Sequence, residues 1–195
     1  MCKNCEGGNG RKSVKILSAK IENIANYLGF LGEYFRLEIN ADVNGVKSQF
    51  KFFMKSLPVT DLKQRKMLVD TGIFKKETTV YATLITDLSR ISEETGSRWC
   101  PKIYLSRDDL LVQEDLSLKG YQILPFKHKF TQPQVEMTLK TLARFHCSSI
   151  VYEKRNEGKS IEDKFGETLF ETSVANITWF HAGLKVALVF SLSLT

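Results

Sequence analysis

The sequence predicts an α+β fold in which a small antiparallel sheet with a packed helix precedes a run of helices. Three observations carry this. Two alternating segments, EYFRLEIN (33–40) and QFKFFMKSL (49–57), flank Asn44–Gly45, the dipeptide that closes two-residue hairpins. Capping and turn residues then frame helical stretches at about 60–70 and 74–89, and two short strands follow at Lys102–Leu105 and Leu110–Glu114. Beyond Pro125 the periodic segments read as helices only.

Residues 1–12 are polar and glycine-rich and read as a flexible terminus. Ser13–Leu28 fits two templates: Leu17, Ile21, Ile24 and Leu28 share a helical face, while Leu17, Ala19 and Ile21 alternate as in a strand. Pro58 ends the strand at 49–57, Thr60 or Asp61 caps the next helix, and Gly72 breaks it. Phe74–Ser89 carries an apolar stripe of Phe74, Tyr81, Leu84, Ile85 and Leu88, followed by a loop over Ile91–Ser97. The longest helix is expected from Thr131 to Tyr152, with Val135, Leu139, Leu142, Ala143 and Phe145 on its apolar face. Residues 153–164 read as a charged loop or helix start, and Trp179–Leu194 as a further amphipathic helix. The domain reading is 1–12 as terminus, 13–121 as the sheet-bearing lobe and 122–195 as a partial helical lobe.

The 195 residues suffice for one domain or two small lobes, and 43% apolar with 11% aromatic residues excludes wholesale disorder. A net charge of +6 suits a phosphate-bearing partner. The basic residues are scattered, without interleaved aromatics on one strand face, so no nucleic-acid partner is expected. Cys2-x-x-Cys5 lacks the second pair that a zinc site needs, and Cys100 and Cys147 stand alone, as in a reduced, cytoplasmic protein. The first residues lack the apolar core of a secretory leader, and Ala182–Leu194 is short and carries Lys185, so no membrane span is expected.

The stretch FFMKSLP (52–58) delivers one lysine, Lys55, on an apolar strand, with the parity of Phe53. Such a lysine either snorkels to solvent or points into a cleft. Glu77, on the second helix, is either an exposed charge beside Lys75 and Lys76 or the partner of Lys55. A strand lysine held by a helix glutamate is an arrangement that grips nucleotide phosphates. Gly29 and Gly32 bracket a turn that would let backbone approach a phosphate, or simply turn the chain. LLVQEDL (110–116) ends a buried strand in two acids, Glu114 and Asp115, which read as a solvated loop start or a lobe crossing. His146 and Cys147 are adjacent on a helix and cannot face each other as a nucleophilic pair. No GxSxG, HExxH or complete Walker loop occurs.

Taken together, LGFLGEYFRLEI (28–39), FFMKSLP (52–58), GIFKKETTVY (72–81), LLVQEDLSLKGY (110–121) and LARFHCSS (142–149) resemble, in order, the ecdysteroid kinase-like or CHK kinase-like family. WFHAGLK (179–185) looks like the family's continuation. The family belongs with the choline and aminoglycoside phosphotransferases. The resemblance implies a protein-kinase-like N-lobe, an antiparallel sheet plus helix, followed by the first helices of an incomplete helical C-lobe. It implies ATP as cofactor, with Lys55 on the phosphates, Glu77 pairing with it, Gly29 and Gly32 over the phosphates, and Gln113, Glu114, Asp115 and Leu116 as the hinge to adenine. The implied reaction is phosphoryl transfer to a small-molecule alcohol.

One departure from the family pattern bears on chemistry. The family uses an HGDxWxxN-type loop and a later aspartate for Mg²⁺, whereas His128, His146 and His181 are followed by Lys-Phe, Cys-Ser and Ala-Gly. No catalytic and no metal-binding residue is therefore assigned, and the sequence reads as a truncated kinase whose terminal VALVFSLSLT is a premature or alternatively spliced end. A partner protein covering the C-terminal helices is the accompanying expectation, because an incomplete lobe exposes apolar surface.

Overall fold

A computed structural model describes residues 13–24, 29, 31–94, 96, 98–124, 127–171 and 181–186; Cys2, Cys5, Tyr27 and most of Trp179–Leu194 lie outside them. Five strands, β1 (Val14–Asn23), β2 (Glu33–Val43), β3 (Val46–Ser56), β4 (Ile103–Arg107) and β5 (Leu110–Glu114), form one antiparallel sheet in the order β1-β2-β3-β5-β4. Helices α1 (Leu62–Thr71), α2 (Ile73–Val80) and α3 (Thr86–Glu94) lie between β3 and β4, and α4 (Gln132–Arg155) and α5 (Ile161–Leu169) follow the sheet.

The hairpin of β2 and β3 forms where the alternation places it. Asn44 and Gly45 both take left-handed backbone angles, φ 55° and 85°, which a two-residue turn of the right twist requires. That turn fixes the register, pairing Val43 with Val46, Arg36 with Phe53 and Tyr34 with Lys55. The ambiguous first segment is a strand: Val14–Asn23 pairs along β2 while its side chains stay exposed, so hydrogen bonding rather than burial holds it. Asp61 caps α1 by accepting from the Gln64 amide at 2.9 Å, and Gly72, at φ 67°, ends it.

Helix α2 continues into α3 through a π-helical turn, Tyr81–Ile85. The extra residue rotates everything after it by about 100° relative to a straight helix. Phe74, Thr78, Leu84, Leu88 and Ile91 are buried, whereas Tyr81 and Ile85, expected in the stripe, are half-buried. The loop expected from Ile91 begins later, because the helix runs to Glu94 and buries Ile91 and Ser92.

The larger core cluster joins Leu84, Leu88 and Ile91 of this helix to Tyr152 of α4 and Phe165 of α5. A polar node supports it. Lys164 donates to Asp87 at 2.9 Å and to the Tyr152 hydroxyl at 2.5 Å, tying α3, α4 and α5 together. A smaller cluster of Leu57, Leu68 and Phe74 sits under the end of β3. Helix α4 is anchored by its second half only. Ser148 and Tyr152 are buried and Phe145 packs on Trp99, while Val135, Leu139 and Leu142 of the expected apolar face are exposed, as is Ala143. No helix among the described residues is long and apolar enough to cross a membrane.

Leu88 is fully buried at the centre of the larger cluster. Leu88→Ala should therefore lower unfolding free energy by about 2–5 kcal/mol, read from urea denaturation midpoints. A loss below about 1 kcal/mol would mean that α3, α4 and α5 do not share a packed core.

Candidate functional site

The register of the sheet decides what the site can contain. On one face of β3, Phe53 and Lys55 stand two residues apart and point the same way. Phe53 lies opposite Arg36 of β2 and Gln113 of β5, and Lys55 lies opposite Tyr34 and Leu111. Two parallel rows of side chains therefore cross three strands.

The structure brings Lys55 and Glu77 together. The Lys55 ammonium donates to both carboxylate oxygens of Glu77, at 2.8 and 2.5 Å, and the two side chains are 11% and 25% exposed. Gly72 makes this possible by ending α1 with a left-handed residue and starting α2 in a new direction, so that Glu77 falls on the side facing β3. The rings of Phe74 and Tyr34 lie 5.6 and 5.8 Å from the ammonium and shield it from water. A charge so enclosed keeps its partner because solvent cannot replace it.

Gly32 abuts this pair. A Cβ at Gly32 would sit 2.7 Å from the Ser56 carbonyl oxygen and 3.2 Å from Lys55 Cε, so only glycine lets the chain pass so close to the lysine stem. A Cβ at Gly29 would meet the Tyr34 hydroxyl at 2.0 Å.

Alongside, the first row of side chains floors a cleft of about 500 Å³, lined by Ile24, Arg36, Phe53, Gln113 and Leu116 among others. Gln113 Oε1 is buried and has no hydrogen-bond partner among the described residues. The two acids that end β5 are engaged with the protein itself. Glu114 pairs with Arg98 and Lys119, both at 2.5 Å, and accepts from the Lys102 amide at 3.2 Å. Burial pushes its pKa up, but the Lys119 hydrogen bond, the Lys102 amide and the Arg98 charge outweigh this and hold it below the usual range.

Asp115 takes the Arg36 Nε at 2.7 Å on one oxygen and the Ser117 amide and hydroxyl, at 3.0 and 2.5 Å, on the other. It thereby caps the 3₁₀ turn Leu116–Lys119. Burial raises its pKa too, yet the Ser117 hydroxyl and Arg36 win and the carboxyl is held low. Of the four residues expected at the crossing, Gln113 and Leu116 keep groups facing the cleft wall, whereas the carboxylates of Glu114 and Asp115 are satisfied internally. Arg36 and Phe53 were not singled out as site residues in the sequence. Counting register outward from Asn44–Gly45 places both beside Lys55, and that was the available signal.

Cys100 is half-buried, with its thiol pKa pushed up by burial, and Cys147 and His146 lie on the outside of α4, away from the cleft. Among the described residues no group of three or more His, Cys, Asp or Glu side chains is placed to hold a metal ion.

A five-stranded antiparallel sheet carrying a lysine–glutamate pair and followed by helices is the architecture of a kinase-like protein. Residues 25–188 match the model of the ecdysteroid kinase-like family, and the chain belongs to that family. No curated protein and no solved structure matches it.

The depressed pKa of Asp115 has a stability consequence with a definite sign. Its contribution is present above the ordinary aspartate value of 3.8 and is lost as pH falls through the lower folded-state value. Asp115→Asn should therefore destabilise the chain at neutral pH and cost progressively less at a pH well below 3.8, measured by thermal melting across pH. Equal losses at both pH values would contradict an ionised, paired Asp115.

Proposed function

We propose that the cleft binds ATP for a kinase acting on a small-molecule alcohol. The observation that carries this is the Lys55–Glu77 pair, set on the same sheet face as the 500 Å³ cleft and one row beyond its floor. Glu77 holds the ammonium in place, and the ammonium neutralises phosphate oxygens. Gly29 and Gly32 shape the turn that covers the phosphates. The base lies on Phe53 and against the crossing at 113–116, where Gln113, Leu116 and the backbone of Glu114 and Asp115 provide the wall.

In this reading residues 13–121 form the nucleotide-binding lobe and 122–195 helices of the second lobe, and the requirement for ATP suits a cytoplasmic setting. When bound, ATP supplies the phosphoryl group. Mg²⁺ accompanies ATP in kinase-like proteins, and the described residues assemble no ligand cluster for it. The part of that reaction proposed for residues 13–121 is nucleotide binding. A second reading is favoured by the exposed Val135, Met137, Leu139 and Leu142 of α4: a non-catalytic regulator that binds a full-length kinase of the same family.

Calorimetric titration with ATP tests the first reading. Lys55→Ala should weaken binding about 10–100-fold, the worth of one charge-assisted contact, and Glu77→Gln should weaken it less. Unchanged affinity in Lys55→Ala would remove that lysine from the site. Saturable binding to a kinase partner that ignores both ATP and Lys55 would favour the second reading.

A further inference from the structure

The Arg36 side chain does more than line the cleft. From β2 it crosses the row it shares with Phe53 and reaches the segment after β5, where Nε donates to Asp115 Oδ2 at 2.7 Å and Nη2 to Ser117 Oγ at 3.2 Å. The acceptors are 79 and 81 residues away in sequence. Asp115 is the buried end of this bridge, at 3% side-chain exposure, and Arg36 is the accessible end, at 38%. The same carboxylate caps the 3₁₀ turn that begins at Leu116, so one guanidinium sets the distance between the strand floor and the wall.

We infer that Arg36 is a positioning residue for the base end of the nucleotide, a latch that holds the cleft at the width of a planar heteroaromatic ring. The inference rests on the ATP-binding reading above. Arg36, Phe53, Gln113, Asp115 and Ser117 all line the cleft, so a ring lying on Phe53 touches the latch on one side and the wall it fixes on the other. Guanidinium is suited to this place. Its planar fork meets a carboxylate and a hydroxyl at once, and two of its five N–H groups account for both bonds. The hairpin register puts Arg36 opposite Phe53, so this bridge starts from the row that floors the cleft.

The latch and Lys55 act on different parts of the ligand, and that makes the inference testable. The whole chain is titrated with adenosine, ATP and inorganic tripolyphosphate by ligand-observed NMR, with a thermal melt on each variant. Arg36→Gln should weaken adenosine and ATP by the same factor, about tenfold, and leave tripolyphosphate unchanged. Lys55→Ala should do the reverse, weakening ATP and tripolyphosphate and sparing adenosine. Adding Asp115→Asn to Arg36→Gln should cost less than the sum of the two single losses, since the Arg36–Asp115 bond is lost in both.

If Arg36→Gln weakens tripolyphosphate as much as adenosine, the effect is general and the latch is overturned. Unchanged adenosine binding in that variant overturns it as well, while leaving the ATP-binding reading intact. A wild-type chain that binds none of the three ligands overturns both. Should Arg36→Gln lose its cooperative melt, Ser117→Ala carries the test, because it keeps the Arg36–Asp115 bond and the Ser117 amide cap and removes only the hydroxyl's bonds to Arg36 and Asp115. It should weaken adenosine about threefold and spare tripolyphosphate, and no change in adenosine affinity overturns the latch.

Discussion

Taking a lysine ammonium out of water costs several kcal/mol unless a carboxylate meets it with good geometry. Lys55 meets that condition through Glu77, and much of the surrounding structure follows from keeping the two together. The glutamate is carried by a short helix that must begin anew after Gly72, and the lysine by a strand whose register is fixed by a tight turn ten residues earlier. Phe74 packs into the smaller core cluster and also shields the ammonium, so the core and the ion pair are built from the same side chains. Gly32 then lies so close to the lysine stem that no larger residue fits.

The same sheet face carries a second row, and there the polar groups are arranged differently. Glu114 and Asp115 lie at the end of a buried strand, where an unpaired carboxylate would be costly. Each is answered by arginine or lysine and by backbone amides. Their role is to fix the path of the chain away from β5, and Phe53, the Gln113 amide and the partly exposed Arg36 guanidinium line the cleft. The floor of the cleft therefore mixes an aromatic ring with a guanidinium and an amide, and the Lys55–Glu77 pair stands one row beyond it.

The helical part is held from one side. Helix α4 is fastened through Ser148, Tyr152 and the Lys164–Asp87 node, leaving its first three turns with apolar side chains in solvent. The alternation and spacing of these residues are those of a buried face, and the described residues supply nothing to bury it against. The π-turn at Tyr81–Ile85 is a related case. Helical periodicity marks Tyr81 and Ile85 as inward together with Leu84 and Leu88, but across the inserted residue Leu84, Leu88 and Ile91 are buried while Tyr81 and Ile85 are only half-buried.

By itself the sequence determined what depends on local chemistry. Asn44–Gly45 dictates a two-residue turn and hence the β2–β3 register, Asp61 and Gly72 bound α1, and the alternation of 33–40 and 49–57 makes strands. The order of these elements, with Lys55 and Glu77 among them, already pointed to a kinase-like architecture. Only the tertiary structure decided the rest, because it depends on partners distant in the chain. It made 14–23 a strand by pairing it with β2, and it placed Arg36 against Asp115 across 79 residues. It also bound the two acids after β5 internally, since a charge next to an apolar strand is settled by whichever cation the fold brings within reach.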